Sequence, residues 1–268
     1  SGSQTVGSVL RPAAYNGVVG LKPTHGLIPV EGVIPLAWSL DHVGVLARSV
    51  DDAALALGVL AGGEYDAAAG RPPRIAVAPD LIARAEPEMA SHLRAVVDAF
   101  RAAGATPVDV ALPASFGALH AAGLTVLEAE AATYHEQDFR KHGAEFGKEI
   151  RAGVESGLAT TAVGYVNANR ARLRFRADVT PILAAHDALL SPTVPTPAPA
   201  GLGSTGDGSL CAPWSYTGMP SVSLPSGLAA SGLPLAIQLT AGAGHEQLLL
   251  RVAAWCEGVL RFSAAPTL

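Results

Sequence analysis

The segment Ser1–Thr24, SGSQTVGSVLRPAAYNGVVGLKPT, constrains what this chain can fold into more than any other stretch of its 268 residues. Before Leu10 it carries almost no bulky side chain, so it cannot contribute much to a core and must run as a loop. The small apolar residues of Gly17–Leu21 follow at once and must be buried. A loop of small residues lets another molecule approach the backbone closely. Here it delivers Ser8 beside the consecutive N–H groups of Thr5, Val6, Gly7 and Ser8. A serine hydroxyl becomes a useful nucleophile only where a base removes its proton and donors receive the developing oxyanion. From pattern alone, an ordinary Gly/Ser turn explains the same residues.

The rest of the chain reads as alternating strands and helices. Gly17–Leu46 is punctuated by Gly and Pro and predicts short buried strands. Ser49 is placed as the N-cap of a helix that Gly62-Gly63 stops. Arg74–Val77 (RIAV) and Thr106–Leu112 read as strands around a helix over Pro87–Ala103, where apolar residues recur at helical spacing. A strand–helix–strand unit favours a parallel or mixed sheet. Ala114–Ala185 is mainly helical, with breaks near Gly143 and Gly157. Strands return at Ala188–Val194, Pro220–Pro225 and Leu233–Thr240, with an extended Pro-rich path at Pro195–Pro199 between the first two. A helix over His245–Arg261 closes the chain. One α/β domain over residues 1–268 is the economical expectation, a mixed twisted sheet covered by helices on both faces.

Hydrophobic residues make up 49% of the chain and charged residues 15%, which predicts a large core under a thinly charged surface. The net charge of -5 gives no basic footprint for nucleic acid. The longest uncharged stretch, Gly208–Gly244, is broken by Pro and Gly and reads as buried sheet, not as a membrane span. Cys211 and Cys256 are too few for a disulfide framework and suit a reducing compartment. A soluble, cytoplasmic protein is expected. Gly201–Gly206 satisfies G-x-G-x-x-G but lacks the strand before and the helix after that dinucleotide binding needs. Asp41-His42 reads as a capped turn. His135 and His142 read as a surface pair among charged residues, with no metal site.

Four blocks in order carry a resemblance. GSQTVGSVLRPAAYNGVVGLKPTHGLIP resembles the core of the amidase signature family, which hydrolyses carboxamides. WSLDHVGVLARSVDDAALALGVLAG, DALLSPTVPTPAP and WSYTGMPSVSLPSG…GLPLAIQL resemble the segments that follow it. The resemblance implies a Ser-Ser-Lys triad with Ser8 as nucleophile, an acyl-enzyme, and an oxyanion hole of the Thr5, Val6, Gly7 and Ser8 amides. It implies no metal or organic cofactor and a small-molecule amide as substrate. In the family the bridging serine and the lysine base lie upstream of this loop. Lys22 falls in a structural block and Lys141 and Lys148 in charged helical stretches, so residues 1–268 are expected to be inert by themselves.

Two departures from the family pattern stand in the loop. Val6 replaces a glycine or another very small residue, and Gln4 and Arg11 replace an Asp and an earlier-placed Arg. Arg11, three residues after Ser8, resembles a malonamidase-like subgroup in which it would grip a substrate carboxylate; bracing of the loop is the simpler role. An amidotransferase A-type subunit that supplies ammonia for tRNA-linked amidation is the first alternative, and a non-catalytic homologue the second. A homo-oligomer and a complementing N-terminal segment are the partners considered. Without that segment, one side of the sheet is expected to expose apolar surface.

Overall fold

The computed structural model describes residues 1–265. Its strands are β1 (Gly2–Gln4), β2 (Val19–Lys22), β3 (His42–Ala47), β4 (Arg74–Val77), β5 (Thr106–Asp109), β6 (Ala188–Pro192), β7 (Ser221–Leu228) and β8 (Pro234–Thr240). They form one sheet in the order β1-β3-β2-β7-β8-β6-β4-β5. The β4–β6 and β4–β5 pairs are parallel, as the strand–helix–strand reading expects, and the remaining neighbours are antiparallel. The helices are α1 (Leu10–Tyr15), α2 (Val50–Ala61), α3 (Pro79–Ile82), α4 (Pro87–Ala102), α5 (Phe116–His142), α6 (Lys148–Leu158), α7 (Ala162–Ala185), α8 (Ala212–Tyr216) and α9 (Glu246–Leu260).

Local chemistry explains the boundaries of α2. The Ser49 side chain accepts from the Asp52 N–H, and Gly62 ends the helix at φ 69°, a backbone conformation that costs glycine little. Strand alternation then sorts the sheet into two unlike faces. On one face Leu21, Val222, Leu224, Ile237, Leu239 and Leu190 pack against Leu57 of α2, Leu93 and Phe100 of α4, and Leu249 of α9. On the other face Ala76 and Leu189 join a second core with Val126 of α5, Phe175 and Val179 of α7, and Trp214 of α8. Each fully buried aliphatic or aromatic side chain in these cores contributes roughly 1.5–3 kcal/mol.

Between these apolar regions the second face is polar. Lys22, Ser191, Ser221, Ser223, Gln238 and Thr240 alternate with the core residues of β2, β6, β7 and β8, and all are fully buried. Several pair with one another: Ser221 Oγ lies 3.0 Å from Thr240 Oγ1, Thr193 Oγ1 lies 2.9 Å from Ser223 Oγ, and Gln238 Nε2 donates to Ser191 Oγ at 3.2 Å and to the Leu210 carbonyl at 3.1 Å, while Gln238 Oε1 has no partner among the described residues. Helix α1 lies over this face, so close that a Cβ at Gly20 of β2 would come within 2.6 Å of the Ala13 Cβ.

Five expectations need correction. The opening segment, read as a loop, pairs with β3 over Gly2–Gln4 and forms the edge strand β1, because backbone pairing needs no bulky side chains. β5 stops at Asp109 instead of Leu112. The Pro-rich segment bends over residues 193–197 instead of running extended, because proline fixes φ and leaves ψ free. The short helices α1, α3 and α8 escaped sequence reading, since none is long enough to show helical periodicity. Nor is one side of the sheet stripped: α2, α4 and α9 cover one face, and α5, α7 and α8 pack on the other. The most exposed large apolar side chains lie instead on helices and loops, as with Leu55 and Val59 of α2, Val163 of α7, and Ile34.

Candidate active site

The strand β1 ends at Gln4, the turn Thr5–Val9 follows, and α1 begins at Leu10. Ser8 sits on this turn with its side chain exposed. The turn is fixed by Gln4, which is 1% exposed. Its Oε1 accepts from the N–H groups of Val9 at 2.8 Å and Leu10 at 2.9 Å. Its Nε2 donates to the Val6 carbonyl at 3.2 Å and to Ser215 Oγ of α8 at 2.9 Å. Ser215 Oγ in turn donates to the same Val6 carbonyl at 2.8 Å. One neutral carboxamide therefore uses both of its ends inside the fold. A carboxylate at this position could accept the two N–H groups but could not donate to Val6.

A second brace comes from Asp41, which precedes β3 and is almost fully buried. Its Oδ2 accepts from the N–H groups of Leu36 and Ala37, and its Oδ1 accepts from the Thr5 hydroxyl. The Asp41 side chain thus caps a turn, as the sequence suggests, and also ties that turn to the serine loop. With Val9 and Leu10 occupied by Gln4, the N–H groups of Thr5, Val6, Gly7 and Ser8 donate to no acceptor among the described residues. Gly7 is buried, and a Cβ there would meet Cys211 Cβ and Gly208 Cα at 3.3 Å. Val6 keeps a negative φ and packs its side chain against the Trp214 core, so its branching is accommodated without strain.

The other singled-out residues are distributed as follows. Arg11 is half-buried, and its Nη1 donates to the Gly206 carbonyl at 3.1 Å. Lys22 is fully buried on the polar sheet face, and its Nζ donates to the carbonyls of Met219 and Pro23. Burial pulls its pKa down to about 7, and Glu246 opposes that shift. His42, opposite Gln4 in the β1–β3 ladder, has neither ring nitrogen hydrogen-bonded. Burial, followed by the nearby Lys22 and His25, holds its pKa well below the ordinary histidine value. Cys211 and Cys256 are free and buried, and burial raises the Cys211 thiol to about 12. His135 and His142 share α5, where His142 pairs with Glu145 and His135 packs edge-on to Phe146. Lys141 and Lys148 stay in the charged α5–α6 region and are not brought near the serine turn.

Sequence reading missed the work of Gln4 and Ser215 and the link from Thr5 to Asp41. The signal available was the alternation S-V-S-L in β7 and I-Q-L-T in β8, which marks a sheet face too polar to be plain core.

The fold and the turn define a mixed sheet sandwiched by helices, with a braced serine turn at the end of its edge strand β1. The family model described as Amidase matches residues 1–250, and the chain belongs to that family. It is 32% identical to the A-type subunit of glutamyl-tRNA(Gln) amidotransferase from Chlorobium phaeobacteroides, across 94% of this chain and 63% of that protein. The corresponding protein of a Roseiflexus species is 31% identical across 94% of this chain and 61% of its own length. The crystal structure of an amidase superposes with a TM-score of 0.90 at 31% identity, covering 97% of this chain and 62% of the other. The peptide amidase of Stenotrophomonas maltophilia gives 0.76 at 28% identity, covering 99% and 63%. The chain therefore spans about three-fifths of the length of the relatives it matches. No described helix is long and apolar enough to cross a membrane.

Proposed function

We propose that the protein hydrolyses a small carboxamide through an acyl-enzyme formed on Ser8. The Ser8 hydroxyl loses its proton to a base and adds to the amide carbonyl, whose oxygen becomes an oxyanion. The tetrahedral adduct collapses, the C–N bond breaks, and the departing nitrogen takes up a proton as ammonia or an amine. Water then adds to the ester carbonyl, and Ser8 leaves with a proton to regenerate the hydroxyl. The reading rests on one observation: among the described residues, four consecutive N–H groups stay free beside an exposed serine, on a turn that Gln4 holds through the two N–H groups that follow. Such donors stabilise charge as it forms, and loss of one typically costs about 2.7–4 kcal/mol. In the family that this chain resembles, the base and the bridging serine come from a segment upstream of such a loop.

Ammonia release from simple carboxamides tests this on the natural gene product and on residues 1–268 by themselves. The natural product is expected to turn over, and Ser8→Ala to reduce it by at least about a thousandfold. Residues 1–268 are expected to be silent. Turnover that survives Ser8→Ala would overturn the assignment. The names of the curated relatives keep membership of an amidotransferase complex as the second reading. Both run the same chemistry on Ser8; a stable complex with amidotransferase partner proteins separates them.

A further inference from the structure

A second cleft lies where the starts of β4 and β6, the C-terminal half of α7 and the β8–α9 loop meet. Its volume is about 420 Å³, within the range of small-molecule sites, and Ser8 is not among its lining residues. Arg71, Arg74, Arg176, His186 and His245 line it, with Asp187 as the sole carboxylate of the lining. Asp187 is already used: Oδ2 accepts from the Arg74 backbone N–H at 2.7 Å and Oδ1 from Arg71 Nη2 at 3.1 Å. That neutralises Arg71 and ties its loop to the start of β4.

The Arg74 and Arg176 guanidinium groups have no ion pair or hydrogen bond among the described residues. Both histidines turn Nδ1 onto backbone carbonyls, Ile182 for His186 and Ala243 for His245. With Nδ1 turned to a carbonyl, the Nε2 of each ring is left for a ligand in the cleft. In a chain of net charge -5 this concentration of unneutralised cations is local. Apart from Thr180, the remaining wall is apolar and includes Leu183, Ala185, Met219 and Leu248.

We infer that this cleft binds a small organic phosphate, its anionic group held between Arg74 and Arg176 and its apolar body resting on Leu183, Met219 and Leu248. Guanidinium is suited to such a group because its planar fork presents paired donors to phosphate oxygens. The small volume favours a metabolite-sized ligand over a nucleic-acid backbone.

Titration calorimetry with phenyl phosphate, on the Ser8→Ala protein at fixed ionic strength, tests the inference. Working in Ser8→Ala keeps the outcome independent of the chemistry proposed at Ser8. Saturable binding is expected, weakened about tenfold or more by either Arg74→Gln or Arg176→Gln. Both side chains are exposed and unpartnered among the described residues, so the melting temperature should not move, which separates loss of the site from loss of the fold. Arg170→Gln, elsewhere on α7, should leave binding unchanged. Phenol, lacking the phosphate, should not bind. Heats that do not saturate, or that respond equally to Arg170→Gln and Arg176→Gln, would overturn the proposal.

Discussion

Lys22 offers the sharpest thermodynamic test of the fold. Its side chain is fully buried on the polar face of the sheet, and its pKa falls from 10.5 to about 7. Below pH 7 the amine is charged both in the folded and in the unfolded chain, and the fold bears the whole cost of burying that charge. Between about 7 and 10.5 the unfolded chain holds a proton that the folded chain has released, so stability rises with pH across this window. At about 1.4 kcal/mol for each pH unit, the full window amounts to about 5 kcal/mol. Other buried groups act in the opposite sense at higher pH. The Cys211 thiol and the Tyr216 hydroxyl are both pushed up to about 12, so the unfolded chain loses those protons first and stability falls. A Lys22→Met variant shares those groups, and comparison with it removes their contribution. Urea midpoints for the two proteins between about pH 6 and pH 9 give the difference directly. The parent should gain on Lys22→Met by about 1 kcal/mol or more for each unit above pH 7. A difference that stays flat across that range would refute the claim that Lys22 is discharged by burial.

Gln4→Leu fills a similar volume but leaves the Val9 and Leu10 N–H groups without their acceptor, at about 1–3 kcal/mol for a buried donor. For a domain of this size the melting temperature should drop by several degrees, about 2–4 °C for each kcal/mol. Asp41→Ala frees the turn at Leu36–Ala37 and the Thr5 hydroxyl together, and should cost about 1–3 kcal/mol by denaturant titration. Gly123→Ala introduces a Cβ only 2.3 Å from the buried Tyr216 ring, so α5 or α8 must shift. Overpacking of that kind costs about 1–3 kcal/mol, measurable by the same titration.

Most strands and the long helices were legible because their signals are local, whereas β1, with no bulky residue to mark it, was not. The Ser49 cap, the Gly62 stop and the RIAV strand each announce themselves within a few residues, and the structure places them as read. The serine turn was legible in its donors and not in its support. Ser215 lies 211 residues from Gln4, and Asp41 lies 36 from Thr5. Such braces form only once α8 and the start of β3 have been brought beside β1, and nothing in the spacing of the first dozen residues encodes that meeting. The cationic cleft was illegible for the same reason, since Arg74, Arg176 and His245 meet only at the ends of elements far apart in sequence.

The polar seam on the sheet has a consequence for how such a protein changes over generations. Its hydroxyls are matched in couples, Ser221 with Thr240 and Thr193 with Ser223, and the Gln238 Nε2 reaches both Ser191 and the Leu210 carbonyl. An apolar core tolerates drift one residue at a time, with each methyl group lost or gained on its own account. In the seam, the first apolar replacement strands a partner and is harmful, while the second removes the stranded group and repairs the harm. Its residues should therefore be inherited as couples, and a homologue that has lost one member should usually have lost the other.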